Sequence, residues 1–83
     1  MKATIVAINR QIGALVVETE ERKCAVLETY GRLNADIGDE MEGDWSEPGS
    51  KLINNVTRGD QLRITLQDNN MSRNEAVGRM TVL

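Results

Sequence analysis

The residues with the chemistry to carry a reaction are few in this chain. It holds one cysteine, Cys24, and no histidine. Without an imidazole, serine and cysteine triads lose their usual base, and zinc sites lose their commonest nitrogen ligand. Cys24 sits among apolar neighbours in a β-rich segment, where a thiol packs as a small core residue unless something lowers its pKa. Glu40, Glu42 and Asp44 alternate, so on a strand they share one face with Cβ atoms about 7 Å apart. Such a row takes a divalent cation weakly or meets a basic partner; it serves equally as a solvated face that discourages pairing between sheet edges. Asp68-Asn69-Asn70-Met71-Ser72 begins like a calcium loop, but Arg73 and Arg79 stand where the loop needs its Gly and its closing Glu. It reads as a turn into a helix. No residue is assigned a catalytic, cofactor-binding or metal-binding role, and the chain is read as a non-enzymatic domain without a cofactor.

The elements that position these residues are mainly strands. Residues 3–8, rich in β-branched types, end at the polar turn Asn9-Arg10-Gln11, and Gly13 opens a second Val-rich run from Ala14 to Thr19. So short a link makes the two an antiparallel hairpin. Beyond Glu20-Glu21-Arg22 a third strand runs from Lys23 to Tyr30 and is closed by Gly31, with Cys24 and Val26 on one face and Ala25 and Leu27 on the other. The pattern lapses from Gly31 to Gly38. Glu40 to Trp45 then alternates cleanly, with Met41, Gly43 and Trp45 pointing one way. Lys51 to Thr57 is too short to type and reads as a helical turn or a brief edge strand. Gln61 to Gln67 alternates strictly, with Leu62, Ile64 and Leu66 as its core face. Ser72-x-x-Glu75 is a capping box that opens a short helix from Arg73 to Arg79, offering Ala76, Val77 and Met80 for packing.

Eighty-three residues make a single domain over 1–83, one that buries only roughly 60–65% of the surface its unfolded chain exposes. There is no Phe, and the aromatic set is Tyr30 and Trp45. The core is therefore aliphatic, Trp45 is expected inside it, and pairing with a second copy is a natural source of stability. A lone cysteine makes no internal disulfide, and no long apolar run marks a signal peptide or membrane span, so a cytoplasmic protein with no membrane partner is expected. The net charge of −3 is unevenly spread: residues 33–50 carry six acids and no base, a block that repels phosphate. Arg58, Arg63, Arg73 and Arg79 make the C-terminal third the one mildly basic region.

Three strands in a row, an irregular crossing and further strands suit an all-β, five-stranded OB-like barrel with a short C-terminal helix. Residues 3–17, Ala-Thr-Ile-Val-Ala-Ile-Asn-Arg-Gln-Ile-Gly-Ala-Leu-Val-Val, resemble the first hairpin of cold-shock domains, with Thr4, Asn9 and Gly13 identical and Ile5 and Val17 conservative. Ile37-Gly38-Asp39-Glu40-Met41 is similar to the hydrophobic-x-Gly-Asp-x-hydrophobic turn of S1-type RNA-binding domains. The resemblance implies a barrel whose hairpin face holds single-stranded nucleic acid by stacking bases on rings. Those rings are missing: the family's Trp falls on Ala7, and its hairpin Phe positions fall on Ala14 and Val16.

The hairpin face marked by Ala7, Asn9, Ala14 and Val16 thus has two readings. It is a plain solvated surface, or it is an aliphatic patch that a protein partner or a second copy of the chain covers. The leading functional expectation is a protein-interaction or self-association module working through that face. The alternative is weak single-stranded RNA or DNA binding of cold-shock or S1 type, through a basic patch of Arg58, Arg63, Arg73 and Arg79.

Overall fold

The structure, a computed structural model, describes residues 1–30 and 33–81, the side chains of Met80 and Thr81 excepted. Six strands are formed: β1 (Lys2–Asn9), β2 (Ala14–Thr19), β3 (Cys24–Thr29), β4 (Glu40–Glu42), β5 (Gly49–Asn55) and β6 (Asp60–Met71). One helix, α1 (Arg73–Thr81), ends the described chain. The strands close into an antiparallel barrel in the order β1-β2-β3-β6-β5-β4. The expected all-β barrel with a short terminal helix is therefore present, with six strands where five were expected. The sixth comes from the stretch that could not be typed: β5 is a full strand held between β4 and β6, and not an edge or a helical turn.

Each half of the barrel is a meander. Gly13 makes the first turn possible: its φ of 67° lies in the left-handed region, and a Cβ there would crowd the Thr29 hydroxyl. The Asn9 carboxamide accepts from the Gln11 amide at 3.1 Å, so this residue shapes the turn. A bulge at Val6 shifts the β1–β2 register between Ile5 and Ala7. Ile5 and Ile8 consequently both pack into the barrel while Ala7 turns to the outside. The interior is filled by Ile5, Leu15, Leu27, Met41, Ile53, Ile64 and Leu66, joined by Trp45 as its pattern required.

The Asp68–Ser72 stretch is not the turn its composition suggested. β6 continues through it to Met71, pairing Val26 with Asp68 and Cys24 with Met71 across two register shifts. Ser72 then caps α1 as read: its Oγ accepts from the Glu75 amide at 3.2 Å, and Glu75 Oε1 accepts from the Ser72 amide at 3.4 Å. The reading of Gly31 as the close of the third strand, and of Met80 as a packing residue, lies outside the described residues.

All neighbouring strands are antiparallel, so the barrel has two chemically distinct ends. One collects the ends of β1, β3 and β5 with the starts of β2, β4 and β6. The other collects the opposite termini. The described residues contain no helix long and apolar enough to cross a membrane.

Candidate functional site

The hairpin face is occupied from within. Ala14, Val16, Cys24 and Val26 are buried with Ala76 of α1, and Val6, Ala7, Ile12 and Met71 pack around them. Val16 has no exposed surface. The small residues at the ring positions let a helix come close, and Ala76, fully buried, fills the space. Two ion pairs hold the helix down, Arg73 to Glu18 at 2.8 Å and Arg79 to Asp68. Ala7, Ala14 and Val16 thus mark a docking face whose occupant is the chain's own C-terminal helix, and Asn9 is spent on its turn.

The four arginines do not form one patch. Arg73 and Arg79 are the helix tethers. Arg58 belongs to a clasp at the first end of the barrel, where its Nε donates to Asp39 Oδ2 at 2.7 Å and its Nη2 to Asp36. Asp39, 6% exposed, also accepts from the Asn55 amide at 3.0 Å and the Asp36 backbone amide at 3.1 Å. Arg10 completes the clasp by donating to Asp36 Oδ1 at 2.9 Å and to the Ala35 carbonyl at 2.8 Å. Burial works to raise the Asp39 pKa, but the hydrogen bonds from Asn55 and Arg58 outweigh it and hold the carboxyl below its ordinary range. The Gly-Asp turn read from the sequence is thus a structural joint. It ties the irregular crossing to β1, since Ile5 donates to Asp39 O at 3.0 Å and accepts from Gly38 at 2.8 Å.

Arg63 stands alone, with no ion pair and no side-chain hydrogen bond among the described residues. It lies on the outer side of β6 opposite Leu52 of β5. Tyr30, one residue past β3, reaches the same surface, where its hydroxyl shares a hydrogen bond with Thr65. Continuing the β3–β6 register sets Tyr30 against Arg63. Tyr30 and Leu52 are each 56% exposed. An aromatic ring, an unpaired guanidinium and an aliphatic side chain therefore form a row across three strands, a feature that alternation alone did not disclose.

At the second end, the termini of β2, β3, β4 and β6, with Met1 ahead of β1, surround an open cavity of about 550 Å³. Trp45 and Ala25 form part of its floor, while Glu21, Lys23, Asp44 and Asn70 stand on its wall. The floor is tightly built. Trp45 Nε1 donates to the Met1 carbonyl at 2.7 Å, and the Asn69 amide spans the carbonyls of Trp45 and Ser46 at 2.9 and 2.8 Å. Gly43 permits this closeness, because a Cβ there would meet Ile53 Cγ2 at 2.6 Å. The Met1 ammonium donates to Glu42 Oε1 at 2.8 Å and to the Gly43 carbonyl at 3.1 Å.

The carboxylate row divides accordingly. Glu42 pairs with the Met1 ammonium and Glu40 with Lys2 at 3.9 Å. Asp44 accepts from the Ser46 hydroxyl and amide, which lower its pKa. No cluster suited to a metal ion occurs among the described residues. Cys24 is buried, and burial with the neighbouring Glu18 carboxylate pushes its thiol up, away from nucleophilic use. No family model matches the chain, and no curated protein or solved structure matches it significantly.

Proposed function

We propose that the chain is a non-enzymatic protein-binding module that engages its partner through the outer face of β3, β6 and β5. The observation that carries this reading is the row Tyr30, Arg63 and Leu52. Tyrosine and arginine are the residue types that most often dominate binding energy at interfaces. Here an arginine without a carboxylate is flanked by exposed apolar groups. The face calls for a protein surface that brings a carboxylate beside an apolar side chain. The kinship to OB-type barrels enters the proposal as the origin of the scaffold. Base stacking on the hairpin has no part in it, because α1 lies where the bases would go.

The test is selection of a displayed peptide library on the immobilised domain, with Arg63→Glu and Tyr30→Ala as counter-targets. The expected winners are acidic peptides with apolar flanks that lose at least about tenfold in affinity for Arg63→Glu. Winners indifferent to both substitutions would overturn the proposal. So would salt-sensitive binding of labelled single-stranded RNA that Arg63→Glu abolishes, since that result belongs to the nucleic-acid reading.

A further inference from the structure

The outer face of β3, β6 and β5 carries its own complement. We infer that its occupant is a second copy of this chain, joined in a two-fold dimer in which Arg63 of each copy pairs with Glu28 of the other. The inference rests on that face being a binding surface, as proposed, and names the partner. Glu28 stands opposite Thr65 in the β3–β6 register, and Thr65 is two residues along β6 from Arg63. The carboxylate and the guanidinium are therefore diagonal neighbours on one side of the sheet, both exposed. The residues that alternate onto this side around them are neutral, from Thr65 and Gln67 on β6 to Ser50 and Leu52 on β5. Nearby charges are committed elsewhere. Lys51 donates to the carbonyls of Asp44 and Glu47 at 2.9 and 2.6 Å, and Asp68 is paired with Arg79.

Neither charge on the face meets its opposite within one copy. Among the described residues Arg63 and Glu28 make no ion pair. Glu28 accepts from the neutral Gln67 carboxamide, which lies on the far side of Thr65 from Arg63 and draws the carboxylate away from the guanidinium. A two-fold contact uses each pairing twice. An axis crossing between Arg63 and Glu28 sets each guanidinium against the carboxylate of the other copy and gathers Tyr30, which adjoins both. The face calls for a carboxylate beside an apolar side chain, and Glu28 beside Tyr30 supplies one. Other outer surfaces of the barrel are already occupied. The hairpin side holds α1, and on the β1–β4 side Lys2, Glu40, Glu42 and the Met1 ammonium are paired among themselves. Burying Tyr30 and Leu52, each 56% exposed, also adds apolar area to a chain with a thin stability margin.

The experiment is sedimentation of the full chain over a range of concentrations, for the parent, Arg63→Glu, Glu28→Arg and an equimolar mixture of the two variants. The parent should dimerise. Each variant alone sets like charges against one another at both contacts, so its dimer dissociation constant should rise at least about tenfold. Mixing the variants restores opposite charges at both contacts, and a heterodimer should form within about threefold of the parental constant. Both positions are exposed, and circular dichroism should show each variant folded as the parent. A parent that stays monomeric up to about 1 mM, a dimer indifferent to both substitutions, or a mixture that associates no better than its components overturns the inference. The reading of the face fails separately. A monomer that still selects acidic peptides sensitive to Arg63→Glu overturns the second copy alone. A dimer restored by mixing, on a domain that selects no such peptide, supports the second copy and overturns only a foreign partner.

Discussion

At one end of the barrel Arg10 and Arg58 meet Asp36, Asp39 and Asn55, and each charged group has its partner within hydrogen-bonding distance. At the other, Met1 pairs with Glu42, while Glu21, Lys23 and Asp44 stand around an open cavity and make no ion pair among the described residues. The side-chain types are nearly the same, and the difference lies in satisfaction. A carboxylate that accepts from three donors, as Asp39 does, is committed to holding strands together. At the cavity the Asp44 carboxylate accepts only from its near neighbour Ser46, so it ties no strand to another. The first end is thus a structural joint, and the second a rim where Glu21 and Asp44 hold no strands together.

The sharpest way to break the contrast is Asn55→Ala. Asn55 has no exposed surface, donates to Asp39 and accepts from the Arg58 amide at 3.1 Å. Its loss leaves a buried carboxylate short of a donor and a half-buried N–H short of an acceptor, and should cost about 2–4 kcal/mol in urea unfolding. For a chain of this size the midpoint should fall by about 10–25 °C. Next comes the acid limb. The folded Asp39 carboxyl titrates below its unfolded value, so in that range the unfolded chain binds more protons. The stability it contributes is present above about pH 4 and drains away as pH falls through the lowered folded value. Asp39→Asn should be less stable near neutrality and show a shallower loss of stability on acidification, measured by denaturant midpoints across pH. Least should happen at the mouth: Glu21→Gln and Asp44→Asn should each stay within about 0.5 kcal/mol of the parent. A large loss there would place both residues in a structural joint and erase the comparison.

The sequence disclosed the strands whose polarity follows the pleat. β1 to β3 and the core half of β6 are β-branched runs divided by Gly, Asn and charged turns, and they fall close to where that pattern sets them. β5 escaped because its polarity runs backwards in part: Asn55 points inward to serve Asp39, while Leu52 points outward. The last turn of β6 escaped because Asp68 to Met71 have the composition of a loop, and only the long-range pairing with β3 holds them extended. The capping box announced α1, but nothing local said where the helix would lie. Ala7, Ala14 and Val16 drew notice for the rings they lack, and the structure gives the reason in the helix packed over them. The clasp and the cavity were the least legible. Each is assembled from strand ends distant in sequence, and Gly-Asp at 38–39 marked one residue of the first without naming its partners.

The meander arrangement has a consequence for how the chain reaches this state. β1 to β3 and β4 to β6 each pair strands adjacent in sequence, so each half forms by closing short loops. The halves meet along two seams, β3 with β6 and β1 with β4, and in the second the pairing of Lys2 to Thr4 with Glu40 to Glu42 is extended by the bonds of Ile5 to Gly38 and Asp39 and of Met1 to Gly43. Both seams join residues far apart in the chain, and that closure entropy must be met before the contacts reward it. The barrel is therefore best regarded as two locally paired halves joined by two long-range seams. Closing those seams is the step that long-range contacts make slow, and pairing within each half is the step that local contacts make fast.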